Sequence, residues 1–184
     1  MSGNSDAFTG LEAAIVLIAF VVVAAVFAYV ILGAGFFTTQ KAQETVYKSV
    51  EQSTTNLQMV GNVYGISNNT AAGIDEIKFS ISLAPGGSDI DLTRLKIVFS
   101  TPETYPIILS HNATISNTTF TARLGGIGPT VSSMTPNQQV EIDFLVYPVP
   151  KNTAVNIEIR PAVGAALPFS KTTPATITNT SVLS

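Results

Sequence analysis

The chain contains no cysteine. That absence excludes a disulfide framework, a thiolate zinc site and a cysteine nucleophile together. Charge is scarce too: Asp, Glu, Lys and Arg make up 11% of 184 residues, against about 25% in an ordinary soluble domain. The nine Lys and Arg are scattered singly and the net charge is −3, so nothing in the chain suits nucleic acid. The single histidine, His111, stands among Ser, Asn and Thr and reads as a solvated loop residue, not as a catalytic base or metal ligand. No GxSxG, P-loop, HExxH or dinucleotide fingerprint occurs. Glu141 and Asp143 alternate along a strand-like segment, as on a solvated polar face. Ser88-Asp89-Ile90-Asp91 offers oxygen atoms without a complete Ca²⁺ loop, which leaves a turn with Asx hydrogen bonds. The expectation is a protein that is not an enzyme, with no catalytic residues, cofactor or metal.

What the chain does have is a long apolar run. Ala13 to Phe37 reads AAIVLIAFVVVAAVFAYVILGAGFF, and no charge falls between Glu12 and Lys41. At about 1.5 Å per residue, such a helix spans the roughly 30 Å core of a bilayer. No face is polar, so its environment must be lipid or a packed assembly. The run exceeds the apolar part of a secretory signal, about 7–15 residues. Thr9-x-x-Glu12 matches a capping box at its entrance. Glu12 also has a second reading, a carboxylate beside apolar neighbours that needs a cation. Gly33-Ala34-Gly35 permits either close helix–helix approach or a bend. Beyond it, Ala42, Val46, Val50, Ser53, Leu57 and Val60 form one apolar stripe, with Glu44 four residues before Lys48. The spacing predicts one nearly continuous helix from about Thr9 to Gly61.

Residues 61–73 read as a linker rich in Gly, Asn and Ser, after which the period becomes two. Ile77-Phe79-Ile81-Leu83, Leu95-Ile97-Phe99, Val140-Ile142-Phe144 and Val155-Ile157-Ile159 each alternate with polar or exposed positions. Half-buried strands divided by Pro-Gly, Gly-Gly and Gly-Pro turns predict a β-sandwich or barrel. Four N-glycosylation sequons, at Asn68, Asn112, Asn117 and Asn179, all lie beyond the helix, which suits an external domain.

FTGLEAAIVLIAFVVVAAVFAYVILGAGFF followed by TTQKAQETV resembles the N-terminus of archaeal flagellins (archaellins), within the type IV pilin-like superfamily. The resemblance covers about residues 8–46. It implies a short leader, 1–7, removed by a prepilin-type peptidase between Ala7 and Phe8. Glu12 then falls at the fifth mature position, where type IV pilins carry a glutamate, and the new amino group of Phe8 is its nearest cation. Asp6 occupies a place where the family usually has a basic residue. The implied organisation is α+β: leader 1–7, assembly helix 8–62, and an all-β immunoglobulin-like sandwich head, 63–184. The implied function is the structural subunit of the archaellum, held in the cytoplasmic membrane before assembly and polymerised into a homo-oligomeric surface filament for swimming. A motor and platform in the membrane are implied partners. Two other readings remain open at this point, an archaeal adhesion pilin and a single-span membrane-anchored β-sandwich binding protein. The anchor reading is weakened because Lys41 and Lys48 follow the apolar run while no basic residue precedes it.

Overall fold

A computed structural model of the chain describes residues 3–184, with side chains from Thr9 onward except that of Thr54. The chain divides into two compact units, Met1–Lys48 and Ser49–Ser184.

One helix, α1 (Gly3–Thr54), carries the apolar run. It begins at Gly3 and not at Thr9, so Thr9 and Glu12 lie inside the helix and no capping box opens it. The helix continues through Gly33-Ala34-Gly35 without a break. Thr38 and Thr39 donate their hydroxyls to the carbonyls of Ala34 and Gly35, at 2.8 and 2.9 Å. Farther along, Glu44 accepts from both Lys41 and Lys48, at 2.7 and 2.8 Å. The expected Glu44–Lys48 pair is therefore present, with a second lysine added.

The expected end of the helix is corrected. It stops at Thr54, and residues 57–66 form a strand. Thr55 N–H closes the last turn on Glu51 O at 2.9 Å, and the Thr54-Thr55-Asn56 run favours leaving the helix over extending it. Leu57 and Val60 fit a helical stripe by spacing, but in the strand they fall on opposite faces, and only Leu57 is fully buried. Leu57 is buried in the head core. The apparent linker at 61–73 is strand as far as Ile66, with a bulge between Val60 and Tyr64 where Gly61 adopts φ +77°.

The head contains β1 (Leu57–Ile66), β2 (Ile74–Leu83), β3 (Ile90–Asp91), β4 (Lys96–Thr101), β5 (Thr104–His111) and β6 (Thr119–Leu124). It continues with β7 (Ser133–Met134), β8 (Gln139–Val149), β9 (Ala154–Arg160), β10 (Leu167–Thr172) and β11 (Thr180–Leu183). Nine strands follow one order, β10-β9-β4-β5-β6-β8-β2-β1-β11, and β3 pairs with β7 separately. All pairs in the nine-stranded order are antiparallel except β5–β6, a short parallel pair at Ser110↔Thr119 and His111↔Phe120. That junction divides two layers. Phe79 of β2 meets Phe169 of β10 edge to face at 5.3 Å, and Phe144 of β8 meets Phe99 of β4 at 5.9 Å. The two layers thus pack as a β-sandwich. Reciprocal hydrogen bonds between Thr172 and Ser184, 2.7 and 3.2 Å, draw the far ends of the order together.

All four strands read from alternation occur, and the inward residues of each are buried. Glycine is required at the β1–β2 junction. Gly73 has φ +134°, and a Cβ there would meet Val149 O at 2.3 Å.

Candidate functional site

The apolar segment of α1 is exposed on every side within the single chain; Phe20, Phe27, Tyr29 and Phe36 are each more than half exposed. It is long and apolar enough to cross a membrane. At Gly33 and Gly35 the space a Cβ would occupy is open; two residues apart, they lie on nearly opposite sides of the helix, and each leaves its own place where another backbone can approach. Glu12 projects from the same helix as an exposed carboxylate. Ala7 and Phe8 lie on the helical backbone, but their side chains fall outside the described residues.

The sequons sit in loops and turns, as expected. Asn68, Asn112 and Asn179 are exposed, and Asn117 is half-buried in the turn between Ser116 and Thr119. Their third residues differ. Thr70 and Thr114 are exposed, whereas Thr119 donates to Thr114 O at 2.8 Å and Ser181 is buried against Thr178. Asn68 and Asn179 come from adjacent segments, joined by a 3.1 Å bond from Ser67 N–H to Asn179 O.

Three polar residues stand differently from the sequence reading or add to it. His111 is not a solvated loop residue: it ends β5, half-buried, with its ring edge against Phe120 at 5.5 Å. Asp91 forms the expected Asx turn, accepting from Thr93 N–H at 2.9 Å to cap the 3-10 turn Leu92–Arg94. Asp143 is not on a solvated face. It is 6% exposed, because the register places it between Lys78 of β2 and the buried Thr121 of β6. Lys78 Nζ lies 2.9 Å from Glu76 Oε1 and 3.6 Å from Asp143 Oδ2, so one ammonium serves two carboxyls. Burial, and then the hydrogen bond with Glu76, push Asp143 up to about 7. Burial would also raise Glu76, but its bonds to Asp143 and Lys78 outweigh this and hold it below the usual carboxylate range. Desolvation opposes the charge on Lys78, and the two carboxyls more than restore it. Sequence reasoning missed this cluster because Glu76 and Asp143 are far apart in the chain. Lys78 opposite Asp143 becomes visible only once β2 and β8 are paired. Among the described residues no group of three His, Cys, Asp or Glu could hold a metal ion.

Comparison with known proteins places these features. The family model for archaeal-type flagellin matches residues 7–171. The chain is 36% identical to probable flagellin 1 of Archaeoglobus fulgidus, over 98% of this chain and 96% of that protein. It is similar to the solved structure of the archaeal flagellum of Methanospirillum hungatei strain JF1, with a TM-score of 0.76 and 33% identity over 95% of this chain and 98% of that one. The crystal structure of archaeal flagellin FlaB1 from Methanocaldococcus jannaschii shares the fold, with a TM-score of 0.59 at 17% identity over 70% of this chain and 96% of that one. These matches do not favour an adhesion pilin or a membrane-anchored binding protein. The exposed apolar helix and the β-sandwich head are those of a filament subunit, and the chain belongs to the archaeal-type flagellin family.

Proposed function

We propose that α1 serves in two environments in turn, the cytoplasmic membrane before assembly and a bundle of identical helices afterwards. The observation that carries this reading is a helix segment from Ala13 to Phe37 with no charged residue and no covered face in the single chain. Either environment removes that surface from water. Exchange of lipid for protein gains little hydrophobic energy; close packing at small residues such as Gly33 and Gly35 supplies the cohesion. A prepilin-type peptidase cuts between Ala7 and Phe8, and the amino group so created pairs with Glu12, within one subunit or between neighbours. A membrane motor and platform drive the surface filament, and the cell swims with it. Residues 1–7 are the leader, residues 8–54 the assembly helix and residues 57–184 the head. Asn68 and Asn112 carry glycans in preference to Asn117 and Asn179, because Thr70 and Thr114 stay exposed in the folded head.

Intact mass and N-terminal sequencing of sheared filaments test the processing step; the expected first residue is Phe8, and a subunit that still begins near Met1 rejects it. Deletion of the gene should remove the filament and abolish swimming. Filament loss with normal swimming would transfer the role to adhesion.

A further inference from the structure

The Glu76–Lys78–Asp143 cluster plays no part in assembly through α1, yet its chemistry is unusual for the outer face of a sheet. An amine and a carboxylic acid stand directly opposite each other, Lys78 of β2 against Asp143 of β8. Lys78 Nζ lies 3.6 Å from Asp143 Oδ2, and Glu76 Oε1 lies 2.9 Å from the same nitrogen. Asp143 is buried, and its Oδ1 has no hydrogen-bond partner among the described residues. A well-made buried ion pair satisfies both carboxylate oxygens. Here burial, and then Glu76, keep Asp143 protonated up to about 7. The group facing Lys78 is therefore an uncharged carboxyl, whose carbon accepts a nucleophile far more readily than that of a carboxylate.

The surroundings hold these groups in place. Tyr64 of β1 lies opposite Lys78, Thr121 of β6 lies opposite Asp143, and Ile66 and Leu145 flank Glu76 on either side. Thr121 is buried, and its hydroxyl donates to Asn112 O at 3.2 Å. Desolvation favours the neutral amine of Lys78 and the carboxyls oppose it; transfer of one proton to Glu76 frees the nitrogen lone pair.

We propose that Lys78 and Asp143 condense within the folded head to an amide between Nζ and Cγ, a covalent bridge from β2 to β8, with Glu76 moving the protons. The nitrogen lone pair adds to Cγ, and the C–OH bond of Asp143 breaks. Of the three ammonium protons, one stays in the amide, one leaves with the Asp143 hydroxyl as water, and one remains on Glu76. No oxidant or cofactor is needed. Holding the two groups opposite each other replaces a bimolecular encounter, and burial keeps water from the reverse reaction. The bridge ties residues far apart in sequence and restricts the unfolded chain as a disulfide does, in a chain that has no cysteine. Once formed, the amide removes Lys78 and Asp143 from titration, so the pH response of Asp143 belongs to chains in which its carboxyl is still free.

The full chain, produced in a bacterial host that adds no N-glycans and purified in detergent, is digested with trypsin and read by mass spectrometry. A lysine acylated at Nζ is not cleaved, so the joined product links residues 49–94 to residues 124–151 and is one water lighter than the two peptides together. It should accumulate with time after folding at neutral pH and become the main form over days. Glu76→Gln should lower its yield about tenfold or more at equal times. Lys78→Arg keeps the positive charge and should give none. Recovery of Lys78 and Asp143 chiefly in linear peptides from the aged wild-type chain would overturn the proposal, and so would an equal yield from Glu76→Gln. Circular dichroism checks that each variant folds; if Glu76→Gln does not, the wild-type digest and Lys78→Arg still decide the outcome. None of these readings depends on whether the chain builds filaments.

Discussion

At the scale of single residues, Asp143 and Glu12 pose opposite problems. Asp143 is a carboxyl that the head buries and then supplies with a proton and a lysine. Its folded value, about 7, lies above the ordinary 3.8. The stability it contributes is thus fully present below about pH 4 and is lost as pH rises through about 7. Glu76 is shifted downward and acts in the acid range, in the opposite sense, so the neutral window belongs to Asp143. Thermal melts of the uncrosslinked full chain in detergent should show a less stable head at about pH 8.5 than at about pH 5.5, by at most about 2 kcal/mol. Asp143→Asn should flatten that slope while preserving the fold; an unchanged slope would remove Asp143 from the account. Glu12 has no such shelter within the chain. If its partner is the Phe8 amino group, Glu12→Gln should insert and be processed normally yet build few filaments. Normal filament number and length from Glu12→Gln, counted by electron microscopy, would defeat the ion pair.

At the scale of elements, α1 has an apolar half that is exposed on every side in the single chain. Its apolar half is held by intrahelical hydrogen bonds, and its polar half adds the Lys41–Glu44–Lys48 bridge on an exposed surface. Exposed pairs of this kind contribute little, so the bridge decorates the helix and does not hold it. The open space at Gly35 can be tested by filling it. Gly35→Leu should improve the isolated helix by about 1 kcal/mol and leave insertion intact. It should nevertheless lower filament yield, because the open space at that position would be filled. Circular dichroism of the purified subunit and filament counts separate the two effects; a normal yield would show that no neighbour packs there.

At the scale of the molecule, the head is held by a sheet that nearly returns to its starting point. Strand β11 covers the edge of β1 through Val63↔Leu183 and its neighbours, and Leu183 is 2% exposed. Ser184 then bonds Thr172 at the end of β10. Removal of residues 180–184 should open both edges and empty the Leu183 site, at a cost of about 2–5 kcal/mol. A urea midpoint unchanged by the truncation would show that the closure adds nothing.

The sequence alone determined the apolar helix and the inward faces of β2, β4, β8 and β9, because both follow from periodicities of 3.6 and 2 that need no distant partner. It also marked the loops that hold the sequons, since Asn, Gly and Ser punctuate turns by local chemistry. The end of α1 was not legible: from Val50 to Val60 the apolar residues keep a helical spacing, and only burial of Leu57 in the head overrides it in favour of a strand. Short strands such as β6 and β11 carry too few alternations to stand out. Asp143 gave the least warning. On the chain it resembles Glu141, and only the pairing of β2, β8 and β6 leaves Glu141 half-buried opposite Arg123 and puts Asp143 beside Lys78 under its neighbours. Burial and charge pairing depend on residues distant in sequence, so the tertiary structure decided them.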